Sequence, residues 1–332
     1  MILQFFEPLF WAILITLLIT PFSIRLASRL RLVDHPHSAP HKIHQNPVPK
    51  AGGISIAVVV FLLAFTSGSL KETETNAILS ASVFILIFGF WDDIRGLSAP
   101  WKLFGQFSAT ALLIEQGIQI RMFGSHAILN IGVTLLWIIG LTNAFNLVDS
   151  MDGLVVGLAA IASTFFLFVT IDAGQLHLTY MSAILLGNCI GMFYYNTTPA
   201  HTFLGDSGAQ FLGFMLATLA MAYTPPGLPQ PSSWFVPILL LGIPILDTTL
   251  VVISRLRRGS PIYKAGQDHV YHRLTQIGMS PAQAVVTMHV GALLLGCLAF
   301  VALPLPPLQA NLLFVLALIC GLIAIIILQR KI

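Results

Sequence analysis

Apolar runs separated by short polar segments make up most of the chain. Eleven such runs can be placed, at 4–27, 51–66, 77–91, 101–117, 129–147, 154–171, 178–195, 208–224, 233–254, 281–302 and 309–328. A membrane-spanning helix needs about 20 successive apolar residues, and most of the runs approach that length. The pattern therefore predicts an all-α polytopic membrane protein with about eleven transmembrane helices, built as a single domain over residues 1–332.

The composition supports a membrane protein and argues against several other classes. Hydrophobic residues make up 56% of the 332 residues, charged residues make up 9%, and the mean hydropathy is +0.88. A soluble domain is typically about one quarter charged, so no sizeable soluble domain is expected. The net charge of +3, without a basic run interleaved with aromatic residues, gives no reason to expect a nucleic-acid partner. The first run lacks a signal-peptide cleavage pattern, so we expect it to be retained as a span.

Lysine and arginine residues concentrate in alternate loops between the runs. With the N-terminus outside, fourteen of the sixteen basic residues lie on the inner side, and only Lys71 and Arg121 lie outside. Because cytoplasmic loops carry the excess of basic residues, this distribution predicts an outer N-terminus and a cytoplasmic C-terminus. The polar candidate residues lie in loops on the same side, so we expect an active-site cleft on the cytoplasmic face. The inner loops concerned are 31–50, 92–100, 148–153, 196–207 and 255–280.

Two pairs of acids follow apolar runs at the predicted cytoplasmic end. Asp92 and Asp93 end the third run, and Asp149 and Asp152 follow the fifth. Negative charge at a helix C-terminus opposes the helix dipole, and adjacent carboxylates repel one another. Either pair alone is equally well explained as a solvated loop end. Two such pairs at the same depth favour a shared divalent cation.

Further oxygen ligands are available close to these acids. Asn146, Asp149 and Asp152 are spaced by three, so on a helical continuation they would share one side. Asp206 precedes the eighth run, in a position that by itself is an ordinary helix N-cap. A set of carboxylate and amide oxygens suits Mg²⁺ or Mn²⁺ better than zinc. Bound Mg²⁺ usually completes its shell with water and phosphate oxygens, which indicates a phosphate-containing ligand.

Basic residues on the same face are candidates for binding that ligand. Lys102 begins the fourth run, and "DHVYHRL" contributes His269, His272 and Arg273. We expect these side chains to neutralise a polyphosphate. For Lys102 alone, a role as a positive-inside anchor is the simpler interpretation.

Two other polar features accompany these candidates. Four histidines lie between 35 and 44, but irregular spacing and interrupting prolines argue against zinc, and we expect an anion-facing loop that includes His44. Asp247 lies inside the ninth run, where an acid is a functional or buried-pair candidate, with Arg255 or Arg257 as its expected partner.

Five motifs in this order resemble the polyprenyl-phosphate N-acetylhexosamine-1-phosphate transferases of glycosyltransferase family 4. They are "HKIHQNPVPKAGG", "DDIRGLSAPWKL", "NAFNLVDSMDGL", "FLGDSGAQFLGF" and "DHVYHRL", and they extend over about residues 41–275. The resemblance is closer to the WecA/TagO branch than to the MraY branch. Two positions differ from the family pattern: Tyr271 replaces the middle histidine of His-x-His-His, and Ser150 replaces a common glycine.

The resemblance implies transfer of a sugar 1-phosphate, with N-acetylglucosamine 1-phosphate favoured, from a UDP-sugar to undecaprenyl phosphate in a bacterial cytoplasmic membrane. UMP would be released, and the lipid product would start a surface glycan such as O-antigen or teichoic acid. The implied cofactor is Mg²⁺, or Mn²⁺. The implied metal ligands are Asp206, Asn146 and Asp93; the catalytic residues are Asp92, Asp93, Asp149, Asp152 and His269; and the substrate-binding residues are Lys102, Asn146, His272, Arg273 and His44.

Several alternatives stay open at this point. The donor could be another UDP-N-acetylaminosugar or a UDP-linked muramoyl pentapeptide, and transfer could be direct or could pass through an aspartyl intermediate. A cation-coupled transporter would use similar acids, but it predicts acids near the bilayer midplane and inverted repeats. The apolar faces allow a homodimer without indicating one.

Overall fold

The computed structural model describes residues 3–34, 36, 46–225, 234–261 and 266–329. Within these residues the chain is almost entirely helical, with a single antiparallel pair of two-residue strands, β1 (Val33–Asp34) and β2 (Val48–Pro49). A short 3₁₀ helix covers Ser69–Lys71. The α-helices are α1 (Leu3–Arg29), α2 (Gly52–Thr66), α3 (Thr73–Arg95), α4 (Ala99–Glu115), α5 (Ala127–Val148), α6 (Leu154–Asp172), α7 (Leu176–Asn196), α8 (Gly205–Ala222), α9 (Phe235–Leu240), α10 (Gly242–Arg257), α11 (Val270–Gln276), α12 (Pro281–Ala302) and α13 (Pro307–Gln329).

The helices follow the apolar runs, which confirms the predicted helical polytopic class. Among the described residues, seven helices are individually long and apolar enough to cross a membrane: α1, α3, α5, α6, α7, α12 and α13. Helix α2 is apolar but has only 15 residues. The total of eleven spans and the orientation of the chain stay predictions.

The ninth apolar run is not the single helix that the hydropathy pattern predicts. It forms α9 and α10, which meet at Leu241. Pro244 lies in the first turn of α10 and has no backbone N–H to donate to the carbonyl of Leu240. The run therefore breaks where a proline interrupts the hydrogen-bond pattern. The second piece carries Asp247 toward the polar end of the bundle.

Helix α8 lies at the centre of the bundle. Its side chains from Ser207 to Ala222 are all buried, and it packs against α2, α3, α5 and α6. A helix that is apolar on every side is typical of such a central position. Its first residues belong to the polar end of the bundle, so the position of α8 determines where Asp206 is held.

Two glycines let neighbouring helices approach the start of α8 closely. A Cβ atom at Gly53 of α2 would lie 2.2 Å from Ser207 Oγ, and one at Gly89 of α3 would lie 2.6 Å from Ser207 Cα. Small residues permit this close backbone contact between helices in membranes. The three helices are consequently packed closely beside the acids.

This packing predicts that Gly89→Ala destabilises the protein. The added methyl group must displace the backbone of α8, which should lower the free energy of unfolding by about 1–3 kcal/mol. The control is Gly140→Ala in α5, where an added Cβ meets nothing within 4 Å. Thermal unfolding in detergent should show a lower midpoint for Gly89→Ala and an unchanged or slightly higher one for Gly140→Ala. Equal midpoints would contradict the close packing.

Candidate active site

The carboxylate of Asp93 caps the N-terminus of α8. Its oxygens accept hydrogen bonds from the backbone N–H of Asp206 at 2.9 Å and of Ser207 at 3.0 Å, and from Ser207 Oγ at 2.7 Å. The first N–H groups of a helix have no partner within the helix, and the helix dipole favours negative charge there. The Asp93 side chain is 1% exposed, and Lys50 Nζ lies 3.4 Å from its Oδ1. Asp93 is thus fully engaged within the protein.

Gly205 makes this arrangement sterically feasible. Its φ of +72° falls in the left-handed region, which glycine adopts readily. A Cβ atom at this position would lie 2.7 Å from Asp93 Oδ2. The glycine of "GDSG" therefore allows the carboxylate of α3 to reach the start of α8, which the sequence interpretation did not anticipate.

Lys102 lies between the carboxylates of Asp92 and Asp206. Its ammonium pairs with Asp92 Oδ2 and lies 3.3 Å from Asp206 Oδ1. Asn146 Nδ2 donates to the same Asp206 oxygen at 3.0 Å. The other oxygen of Asp92 accepts the backbone N–H of Leu97 at 2.6 Å. Four predicted site residues from α3, α4, α5 and α8 are thereby brought together, and we call Asp92, Lys102, Asn146 and Asp206 the acid–lysine cluster.

The side-chain oxygens of the acid–lysine cluster are suitable ligands for a hard divalent cation. Within the described residues, no group of three or more His, Cys, Asp or Glu side chains is arranged to hold a metal. Mg²⁺, however, is commonly held by one or two carboxylates, with water and phosphate oxygens completing its shell. Asp92 Oδ2 is buried, and its partner among the described residues is the ammonium of Lys102. Asp92, Asp206 and the amide oxygen of Asn146 therefore suit Mg²⁺, whereas Asp93 already accepts three hydrogen bonds.

Asp149 and Asp152 do not continue the helical face of Asn146, as the spacing suggested. Helix α5 ends at Val148, Asp149 is its C-cap, and Asp152 lies in the turn before α6. Asp152 Oδ2 accepts the backbone N–H of Ala200 at 3.3 Å. The helical continuation is wrong because the chain turns directly after Val148.

Asp149 nevertheless lies within the electrostatic influence of the other acids. Burial, followed by the negative charges of Asp206 and Asp93, raises the pKa of this carboxyl to about 8. The side chain is therefore mostly protonated at neutral pH. A raised pKa of this kind, caused by burial together with neighbouring charges, is typical of functional sites.

His269 is oriented by Asp247, which lies 22 residues earlier in the chain. His269 Nδ1 is 2.8 Å from Asp247 Oδ2, and the backbone N–H of Val270 donates to Asp247 Oδ1 at 2.6 Å. Asp247 is completely buried. Asp247 therefore pairs with His269 instead of with the expected Arg255 or Arg257, because the chain folds the segment "DHVY" back onto α10.

Tyr271, one of the two residues that differ from the family pattern, contacts His272. Tyr271 is buried, and its hydroxyl lies 2.5 Å from His272 Nε2. The rings of Tyr271 and His272 also stack, with centroids 3.9 Å apart. Burial raises the pKa of Tyr271 to about 12, so the phenol is neutral and can donate. Tyr271 thus holds the ring of His272 in place.

Arg273 joins three elements rather than extending into open space. Its guanidinium donates to the carbonyl of Asp268 at 3.2 Å, to the carbonyl of Leu328 at 2.8 Å and to Ser254 Oγ at 2.5 Å. This network, with the Arg255–Asp268 ion pair at 3.0 Å, anchors α11 to α10 and α13. The predicted role of Arg273 in phosphate binding stays a prediction. His44 lies outside the described residues.

Comparison with known proteins identifies related transferases. Residues 75–224 match the model of glycosyl transferase family 4. The chain is 31% identical to the probable undecaprenyl-phosphate N-acetylglucosaminyl 1-phosphate transferase of Bacillus subtilis, with 84% of this chain and 79% of the relative covered. It is 32% identical to the decaprenyl-phosphate N-acetylglucosaminephosphotransferase of Mycobacterium tuberculosis H37Rv (83% and 76% covered). It is also 28% identical to the phospho-N-acetylmuramoyl-pentapeptide-transferase of Bacillus velezensis (86% and 93% covered).

The capping role of Asp93 predicts a stability defect in Asp93→Asn. The amide presents an N–H group to the helix N-terminus and carries no charge, so the free energy of unfolding should fall by about 1.5–3 kcal/mol. Asp152→Asn, which affects one longer hydrogen bond, is the control. Thermal unfolding of both purified variants tests this prediction. A midpoint for Asp93→Asn equal to that of Asp152→Asn would disprove the cap.

Proposed function

Because the chain belongs to glycosyl transferase family 4, we propose that it transfers N-acetylglucosamine 1-phosphate from UDP-N-acetylglucosamine to undecaprenyl phosphate and releases UMP. The observation that carries this proposal is the convergence of Lys102, Asp92, Asp206 and Asn146 at one end of an apolar helix bundle. A soluble polyanion and a lipid phosphate can both reach such a site. The two relatives with 31% and 32% identity are named for transfer of this sugar phosphate to polyprenyl phosphates.

The proposed cofactor is Mg²⁺, with Mn²⁺ as a substitute. Asp92, Asp206 and Asn146 are the proposed ligands, and the cation would offset negative charge on the pyrophosphate of the donor. With a cation held there, Lys102 would pair with a phosphate group of the donor instead of with the two carboxylates. Asp93 acts indirectly in this scheme, since its hydrogen bonds to α8 hold Asp206 in position.

The proposed reaction is a displacement at the β-phosphorus of the UDP-sugar. An oxygen of the lipid phosphate attacks this phosphorus, the bond from phosphorus to the bridging oxygen breaks, and UMP departs with that oxygen. A phosphate monoester is largely ionised near neutral pH, so the acceptor does not require a strong base. Direct transfer is therefore sufficient. Positioning and charge neutralisation are the main contributions expected of a protein in phosphoryl transfer.

His269 is proposed to contact the phosphates of the donor. Its Nδ1 is engaged by Asp247, which fixes the orientation of the ring. Tyr271 holds His272 beside it, and the ring centroids of the two histidines lie 6.2 Å apart. Asp149 and Asp152 are proposed to face the nucleotide.

The proposed orientation directs the site toward the cytoplasm. The acid–lysine cluster lies where α3 and α5 end and where α4 and α8 begin, so its members share one face of the bundle. The basic residues that predict the inner side adjoin the same helix ends. A transporter is not supported, because these acids lie at helix ends rather than at the middle of the bundle, and because the relatives described above are transferases.

The decisive test is release of UMP by the purified protein with undecaprenyl phosphate and a panel of UDP-sugars. We expect release with UDP-N-acetylglucosamine that requires Mg²⁺ and stops with EDTA. Asp206→Asn should lower the rate by at least about 100-fold while the protein stays folded, since it removes a charge that stabilises the transition state. No release with any donor by folded wild-type protein would refute the proposal, and wild-type activity in Asp206→Asn would refute the metal assignment.

The raised pKa of Asp149 predicts a dependence of activity on pH. The carboxyl is protonated below its pKa of about 8 and becomes ionised as the pH rises through that value. The ionised form repels the donor, so kcat/KM for the UDP-sugar should fall by up to about tenfold for each unit above pH 8. Asp149→Asn mimics the protonated form and should remove this fall. The same decline in wild-type protein and Asp149→Asn would show that another group is responsible.

A further inference from the structure

Three amide side chains, two of them buried and one partly buried, form a hydrogen-bonded layer inside the helix bundle. They are Gln106 in α4, Asn143 in α5 and Gln210 in α8, and we call them the amide layer. Asn143 Nδ2 donates to Gln106 Oε1 at 2.7 Å. Gln106 Nε2 donates to Asn143 Oδ1 at 3.3 Å and to Gln210 Oε1 at 3.0 Å. Gln106 is 1% exposed and Gln210 is 2% exposed, so water contributes little to their hydrogen bonding.

The amide layer lies directly below part of the acid–lysine cluster. In α4, Lys102 lies four positions from Gln106. In α5, Asn146 lies three positions from Asn143, and in α8, Asp206 lies four positions from Gln210. Residues three or four apart lie on one helix face, with Cβ atoms about 5–6 Å apart. Each of these site residues therefore has one amide beneath it, one turn deeper in the bundle.

The hydrogen bonds within the amide layer leave little orientational freedom. Gln106 uses its amide nitrogen for two neighbouring helices, and Asn143 Nδ2 also donates to the carbonyl of Ile139 at 2.8 Å. In an apolar bundle no alternative partner from solvent is at hand for an amide that leaves its position. A rotation of α4, α5 or α8 would break these bonds, and it would also move the site residue one turn above.

We propose that the amide layer sets the rotation of α4, α5 and α8 and so positions Lys102, Asn146 and Asp206 for the reaction. Gln106, Asn143 and Gln210 are then positioning residues and do not touch the substrates. The expected effect on the reaction rate rests on the proposed function, whereas the expected effect on cation binding does not. The competing explanation is that the amides only stabilise the bundle.

Two matched triple variants distinguish positioning from stabilisation. The first replaces the whole layer: Gln106→Leu, Asn143→Leu and Gln210→Leu. Removing all three amides together avoids leaving one buried polar group unpaired, which is the more costly change. The control is Thr110→Val, Thr142→Val and Thr218→Val, which are fully buried in the same helices and whose hydroxyls donate to carbonyls of their own helix.

The measurements are thermal unfolding, UMP release and Mn²⁺ binding by electron paramagnetic resonance, all in detergent. In the leucine variant we expect cooperative unfolding but a kcat at least about tenfold lower, because misplacement near 1 Å has effects of this size or larger. We also expect Mn²⁺ affinity to fall by at least about fivefold, whereas KM for the UDP-sugar should change by less than about twofold. The threonine control should match the wild-type protein in kcat and in Mn²⁺ affinity.

A folded leucine variant with the kcat and Mn²⁺ affinity of the control would overturn the proposal. If the leucine variant does not fold, Gln210→Asn is the substitute, because it keeps an amide and shortens its reach by one methylene. Gln210→Asn should also lower kcat and Mn²⁺ affinity, and wild-type values for both would overturn the proposal. Absence of UMP release by wild-type protein would instead refute the proposed function, while the Mn²⁺ measurement would still test the layer.

Discussion

The hydrogen bonds from the start of α8 to Asp93 are the interaction on which the site depends. The first N–H groups of a helix have no partner within the helix, and at the start of α8 they need one because Gly205 and Ser207 are buried. Asp93 supplies that partner from α3, and Gly205 leaves the space for it. Once α8 is held in this way, Asp206 lies beside Lys102 and Asn146. The close helix packing at Gly53 and Gly89 also holds the start of α8 in position.

The apolar pattern was sufficient to predict most of the fold. It located every long helix, because a lipid environment requires continuous apolar segments whose backbone bonds are satisfied internally. It did not predict the break at Leu241, since hydropathy averages over Pro244 and does not register the missing N–H group. The end of α5 at Val148 was missed for a related reason: the spacing of Asn146, Asp149 and Asp152 is compatible with a helix that the chain does not form.

The site was predictable in part. The shared depth of Asp92, Asn146 and Asp206 indicated that they would meet, and they do, with Lys102 between the two carboxylates. The different roles of Asp92 and Asp93 were not predictable, because the capping role of Asp93 depends on a helix more than 100 residues away in the sequence. The pairing of His269 with Asp247 was hidden for the same reason. Patterns in one sequence report local geometry well and distant partners poorly.

We propose that Asp92 and Asp206 bind a divalent cation in place of the ammonium of Lys102 when the donor binds. The most direct measurement is an experimental structure with Mn²⁺ and UDP-N-acetylglucosamine, in which the metal is located by its anomalous scattering. We expect one peak about 2.0–2.3 Å from carboxylate oxygens of Asp92 and Asp206, with Lys102 moved to a phosphate of the donor. A metal bound away from these carboxylates, or an unchanged ion pair between Lys102 and Asp92 in the presence of bound donor, would contradict it.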